Sequence, residues 1–380
     1  MKELQQILGL WEAAEKAGES AVLATVVKTR GSSYRLPGAR LLLTGGGERA
    51  GSVSGGCLED DLVKKAWWLT EQRPVIRRYD TTPEGEIATE FGLGCNGIIH
   101  VLLERVTSAS ARVLKLIAKV REERRAAAVV HLIEPAAAVA GERLILDTEG
   151  AVAHNLSNAE LAASLAEEAR RALAEGNART IRLGRDVEAF VEILQPAVHL
   201  LIFGAGDDAV PLVNLAKFLG WQVTVLDGRA HYARREKFPQ ADVVLVRRAG
   251  DSGLAAQIDP WTVAVLMSHS YNQDLENLRE LATRPLRYLG ILGPRKRTVQ
   301  LLSDAGLDPE RLVAALHSPV GLDIGADGPE QVALAVLAEI QATLNGREGG
   351  MLRERDGSIH ASEGAAADPE ALWVQSIACA

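Results

Sequence analysis

From residue 199 the chain alternates short apolar runs with helical stretches, and no other feature narrows its fold so much. After its histidine, His199-Leu200-Leu201-Ile202-Phe203 is entirely apolar, as expected of a parallel strand buried on both faces. Gln222 to Leu226, Asp242 to Val246, Val263 to Met267 and Tyr288 to Leu292 read as further strands, most followed by helical sequence. Strands that alternate with helices predict a doubly wound parallel sheet. A last helix is expected over about Pro329 to Leu344, opened by Asp327 and Glu330 in a capping-box arrangement.

The first strand runs into Gly204-Ala205-Gly206-Asp207-Asp208-Ala209. In a Rossmann-type fingerprint Gly204 allows the tight turn, Gly206 lets backbone approach a pyrophosphate, and Ala209 keeps the helix close to the sheet. Phosphate would sit on the free N–H groups of that helix. Asp227 ends the second strand, where an acid grips a ribose hydroxyl and favours NAD over NADP. The competing reading is a domain that keeps this shape without a dinucleotide.

Two more segments lie at strand ends of this half, where ligands of open α/β sheets bind. One is Ser268-His269-Ser270-Tyr271-Asn272-Gln273-Asp274. His269 is placed to touch a ligand; alternatively Ser270 or Asn272 only caps the next helix. The other is Gly290-Ile291-Leu292-Gly293-Pro294-Arg295-Lys296-Arg297-Thr298. Positive charge opposes the dipole at a helix start, so Gly293, Arg295, Lys296 and Arg297 read as an anion cradle with something negative beside them.

The N-terminal half reads as mixed α/β. An amphipathic helix covers Lys2 to about Ala17, and strands follow at Ala21 to Val27, Arg40 to Thr44, Val75 to Tyr79 and Ile98 to Leu103. Between them lie two glycine-rich cysteine loops, Gly51-Ser52-Val53-Ser54-Gly55-Gly56-Cys57 and Gly92-Leu93-Gly94-Cys95-Asn96-Gly97. Cys57 precedes a helical stretch, where the dipole stabilises a thiolate that can bind a soft metal or carry sulfur. A buried, unreactive cysteine is the plain alternative. Neither cysteine sits in a CxxC pair, which argues against a structural zinc; Cys379, near the chain end, reads as incidental. Glu59 follows Cys57 and offers a proton-handling carboxylate, although an acid in a first helical turn is already explained by the dipole. Gly31 to Arg40 holds Arg35 and Arg40, which suit a phosphate or carboxylate; a plain turn fits nearly as well. Residues 107–195, with strands at Ala128 to Ile133 and Arg143 to Asp147 and a helix from Asn158 to about Glu175, read as scaffold or a joining arm.

Composition excludes several classes of function. A net charge of −8 over 380 residues does not suit nucleic acid as a main partner. No apolar run is long enough for a membrane span, and the acid-bearing, non-apolar opening residues predict no secretory signal. Three cysteines do not make a disulfide framework, so a cytoplasmic location with free thiols is expected.

Together, Gly31 to Arg40, Gly51 to Glu59, Phe91 to Gly97, Gly204 to Ala209, Leu289 to Thr298 and His317-Ser318-Pro319-Val320-Gly321-Leu322-Asp323-Ile324-Gly325 resemble the XdhC/CoxI family of accessory proteins for molybdenum hydroxylases. Asn96 departs from the glycine expected there, and Asn tolerates a left-handed backbone. The resemblance implies an N-terminal domain (1–195, poorly marked over 107–195), a Rossmann-like C-terminal domain (196–345) and a tail (346–380). It also implies a chaperone that binds molybdenum cofactor (molybdopterin), supports its sulfuration with a cysteine desulfurase, and inserts it into a xanthine dehydrogenase-like apoenzyme. On that reading Gly55, Gly56 and Cys57 with Gly94 and Cys95 face the molybdenum end, the two thiols being its candidate ligands. Arg295, Lys296 and Arg297 hold the pterin phosphate, and Gly204, Gly206 and Ala209 bind that phosphate or a separate nucleotide. A homodimer is an open expectation. The rival is an NAD-dependent oxidoreductase with His269 as its acid–base group; a docking protein with vestigial sites is a third reading.

Overall fold

A computed structural model describes residues 2–56, 58–82, 97–135, 140–184, 186–251, 258–308 and 316–354. Cys57, Gly94, Cys95, Asn96 and Cys379 lie outside the described residues, as does the tail from 355. Two compact units divide the chain, one over Glu3–Pro196 and the other from Ala197 onward.

The N-terminal unit is one topology used twice. Its first half runs α1 (Lys2–Ala17), β1 (Ala21–Gly31), β2 (Arg40–Thr44), β3 (Arg49–Gly51), α2 (Glu59–Leu69), β4 (Val75–Asp80) and β5 (Gly97–Arg105). The second half runs α3 (Ser108–Glu123), β6 (Ala127–Glu134), β7 (Arg143–Leu146), β8 (Val152–His154), α4 (Ala159–Glu175), β9 (Arg179–Leu183) and β10 (Val187–Leu194). The sheets have the orders β3-β2-β1-β5-β4 and β8-β7-β6-β10-β9, the same path in both halves. α1 and α3 are each 16 residues long. The segment read as a joining arm is therefore a second antiparallel sheet with its own helices. Its strands β8, β9 and β10 escape a reading by pattern because β8 is short and exposed while β10 is buried on both faces.

Strand periodicity explains the layers, since alternate side chains leave opposite faces. Val22, Ala24 and Val26 of β1 pack with Leu58, Leu62 and Ala66 beside α2. Ala128, Val130 and Leu132 of β6 pack in the same way with Leu165, Ala166 and Ala169 of α4. The other faces, with Leu23 and Val129, share one cluster with Ile7, Leu8 and Trp11 of α1 and Leu114 and Ile117 of α3.

Two buried ion pairs cross between the halves reciprocally. Arg40 opens β2 and grips Glu192 of β10 in a bidentate pair at 2.7 and 2.5 Å. Arg143 opens β7 and pairs with Glu104 of β5. The registers match: Arg40 faces Thr25 and Glu104 faces Leu23, while Arg143 faces His131 and Glu192 faces Val129.

The C-terminal unit is the doubly wound sheet expected from sequence. Its elements are β11 (His199–Phe203), α5 (Ala209–Phe218), β12 (Gln222–Asp227), β13 (Val243–Val246), β14 (Thr262–Leu266), α6 (Tyr271–Leu281), β15 (Tyr288–Ile291), α7 (Arg295–Ala305), β16 (Leu316–His317) and α8 (Pro329–Leu344). The parallel order is β13-β12-β11-β14-β15-β16, so the chain reverses direction across the sheet between β11 and β14. α5 and α8 cover one face, while α6 and α7 cover the other. α8 starts one residue later than the capping box proposed for Asp327 and Glu330. Gly328 is its N-cap, and the Gln331 side chain accepts the N–H groups of Asp327 and Gly328. No helix among the described residues is long and apolar enough to cross a membrane.

Candidate functional site

In the N-terminal unit the loop before position 57 is wrapped around a carboxylate. Glu59, only 4% exposed, accepts on Oε1 from Ser52 Oγ at 2.7 Å and from the N–H groups of Val53 and Ser54, both at 2.9 Å. Its Oε2 accepts from Ser54 Oγ and, at 2.8 Å, from Gly56 N–H. Burial by itself would raise this carboxyl. The hydrogen bonds from Ser54, Ser52 and the two N–H groups outweigh it and hold the group at about 2. Glu59 thus stays ionised near neutral pH, and every hydrogen bond it accepts comes from the loop itself. The carboxylate shapes the loop.

The Gly31–Arg40 segment meets this loop. Glu3 accepts Ser52 N–H at 2.6 Å on one oxygen and Arg35 Nη2 at 2.5 Å on the other. The Tyr34 ring lies so close to Gly55 that a Cβ there would fall 2.7 Å from it. Gly97, where the segment bearing the second cysteine rejoins the described chain, would place a Cβ 2.1 Å from Ser32 O. The Gly31–Arg40 segment therefore touches Gly55 through Tyr34 and Gly97 through Ser32. Arg40 is closed to an anion, being buried against Glu192, while Arg35 is partly exposed and pairs through Nη2 with Glu3.

In the C-terminal unit the fingerprint has the predicted shape with altered chemistry. Gly204 (φ +134°) turns so tightly that a Cβ would lie 2.4 Å from Met267 O. Asp227 does not present a free carboxylate. It accepts Ala205 N–H at 2.9 Å and a bidentate pair from Arg229 at 2.9 and 2.7 Å, with its side chain fully covered. Both of its oxygens are thus already engaged inside the protein. Asp207 pairs with Lys237 at 2.7 Å, and Asp208 meets His269 Nε2 at 2.6 Å. The carboxylates beside Gly206 and Ala209 are thus each paired, one with a lysine and one with a histidine.

His269 sits at φ +55°, a left-handed backbone that disfavours side chains other than those of Gly, Asn and Asp. It lies at the carboxyl end of β14, beside the point where strand order reverses, and its side chain is 62% exposed. Ser270 is the N-cap of α6 without a side-chain cap bond. The cradle at Gly293 is only partly available. Arg297 Nη2 bonds the buried Asp274 at 2.6 Å, the internal negative partner that the cation run called for. Arg295 and Lys296 remain exposed. The His317–Gly325 motif carries no site legible from residue chemistry alone. His317 stacks on Tyr288 at 4.2 Å, and Glu339 accepts from the Tyr288 hydroxyl and from Gly321 N–H.

Comparison with known proteins matches both units. Residues 200–340 match the model of the XdhC Rossmann domain, and residues 14–80 match that of the XdhC and CoxI family. The chain is 35% identical over 329 residues to a probable xanthine dehydrogenase subunit of Bacillus subtilis, spanning 86% of this chain and 93% of that one. It is 26% identical to the molybdenum cofactor insertion chaperone PaoD of Escherichia coli, over 85% of this chain and 83% of PaoD. A crystal structure described as a xanthine dehydrogenase from Bacillus halodurans superimposes with a TM-score of 0.74 at 31% identity, covering 90% of this chain and 96% of that one. The motifs, the parallel sheet and these matches agree: the chain belongs to the XdhC/CoxI family.

Proposed function

We propose that this protein is a maturation factor for a molybdenum hydroxylase, one that binds molybdenum cofactor as cargo and inserts it into a xanthine dehydrogenase-like apoenzyme. The observation that carries this reading is the similarity to PaoD, which runs through most of both chains. The Glu59-centred loop supports it. Gly55 and Gly56 have positive φ, and among the described residues nothing beyond its chain neighbours lies within 4 Å of where a Gly56 Cβ would be. The loop thus offers an open approach on a backbone already held in place. Cys57 and Cys95 are the soft ligands of the proposal, and sulfuration with a cysteine desulfurase is its further step. Arg295 and Lys296 are the cations of the cradle left to meet an anion. NAD is disfavoured, because Arg229 already occupies Asp227.

The test is an anaerobic titration of the purified protein with molybdenum cofactor, beside NAD, in the wild type, Cys57→Ala and Cys95→Ala. Binding that weakens by roughly tenfold or more in either variant, about 1.4 kcal/mol, supports the proposal. Binding of NAD alone, indifferent to both cysteines, overturns it.

A further inference from the structure

A cleft of about 280 Å³ opens beside β12, β13 and α6 of the C-terminal unit. Its lining includes Arg229, Arg247, Arg248, Gln273, Glu276 and Asn277. The donors on this wall are only partly engaged. Arg229 uses Nε and Nη2 on Asp227 and Ser268 O, which leaves Nη1. Gln273 accepts Gly228 N–H through Oε1, so its amide NH₂ is left over. Arg248 is exposed, and its guanidinium has no partner among the described residues. Asn277 is only 9% exposed, yet its amide bonds to nothing among the described residues. The atoms of that amide are not sealed from solvent, so they can meet a ligand in a cleft already rich in N–H groups.

Arg247 lies behind the wall, neutralised by Glu280 at 2.7 Å, and Asp227 likewise balances Arg229. Arg248 is therefore the cation left to meet a ligand, opposed by Glu276.

We infer that this cleft binds a phosphate monoester carried on a hydroxylated group. A phosphoryl group presents three outward acceptor oxygens, which Arg248, Arg229 and the two amides can share; a carboxylate has only two. Guanidinium forks suit such oxygens, and Glu276 accepts from a hydroxyl of the group bearing the phosphate. The volume is near the lower end of the range for small-molecule sites, roughly 300–1,000 Å³. The inference stands apart from the cargo reading, since a nucleotide and a phosphorylated sugar share this chemistry.

Calorimetric titration of the full chain with AMP, ribose 5-phosphate and adenosine tests it. AMP and ribose 5-phosphate bind and adenosine does not. Arg248→Ala weakens both phosphates by roughly tenfold, as loss of a charged hydrogen bond does. Glu276→Gln shifts the affinity for both several-fold, as a residue facing the ligand does and a merely structural one does not. A preference for AMP assigns the site to a nucleotide, while equal affinities assign it to the sugar phosphate common to both. Failure of both phosphates to bind, adenosine binding as well as AMP, or affinities unmoved by both variants would each overturn the inference. Cofactor binding in the cysteine variants is scored separately, so either proposal can fail alone.

Discussion

The two halves of the N-terminal unit follow one chain path and differ plainly where a strand hands over to the second helix. In the first half the connection from β3 to α2 is the Gly51–Gly56 loop, drawn around Glu59 by five hydrogen bonds. In the second half the connection from β8 to α4 is plain. Asn158 caps the helix by accepting the N–H groups of Glu160 and Leu161, and Gly176 ends it in a left-handed turn. The same fold is therefore reached with an ordinary cap. The carboxylate cradle of the first half is more elaborate than that cap, which is why the proposed function looks to this loop.

The comparison breaks most easily at the reciprocal ion pairs. Removing one partner leaves an uncompensated buried charge. Arg40→Ala and Arg143→Ala are each expected to lower stability by about 3–5 kcal/mol in urea unfolding. A large loss in one with none in the other would show that the two halves are not energetically equivalent.

Glu59→Gln probes the excess chemistry. Losing the charge weakens hydrogen bonds worth about 1.5–3 kcal/mol when charge-assisted. Cofactor affinity should fall along with stability, and unchanged affinity would reduce Glu59 to a folding element.

The acid limb sharpens the same point. The Glu59 carboxyl lies at about 2 against an ordinary 4.5, so below the ordinary value the unfolded chain binds more protons than the native state. Its stabilisation is complete above about pH 4.5 and is lost as pH falls toward 2. Glu192, likewise held at about 2 through Arg40 and His131, behaves in the same way. Glu59→Gln should flatten the acid limb of a stability–pH curve and leave the part due to Glu192. An unaltered limb would rule out the ionised cradle.

The smallest effect belongs to the second half. Asn158→Ala is expected to remove about 1 kcal/mol, the worth of an N-cap, without changing cofactor affinity. A loss of affinity here would give the second half a share in the site.

How far these features can be read in advance depends on how local they are. The strand at Leu200–Phe203, the turn at Gly204 and the amphipathic face of Ile7, Leu8 and Trp11 are legible, because apolar periodicity and glycine conformation act over a few residues. The repeat is not, because its halves share a topology and little visible motif, and Arg40 meets Glu192 across a chain separation of 152 positions. Arg40, Arg297 and Asp227 all carry the right charge for a ligand, yet each is taken by an internal partner, and charge in a sequence does not name its counterpart. Glu59 shows the converse: an acid explained by a helix dipole proves to organise a loop.

By itself, the sequence determined the parallel sheet, its tight first turn, the family and the glycine loops, all consequences of short-range pattern. Only the tertiary structure decided which charges are neutralised inside the protein, that residues 108–194 repeat the path of 2–105, and that a donor-lined cleft lies beside Asn277. Those outcomes depend on burial and on pairing between distant segments, where desolvation makes every charge seek a partner.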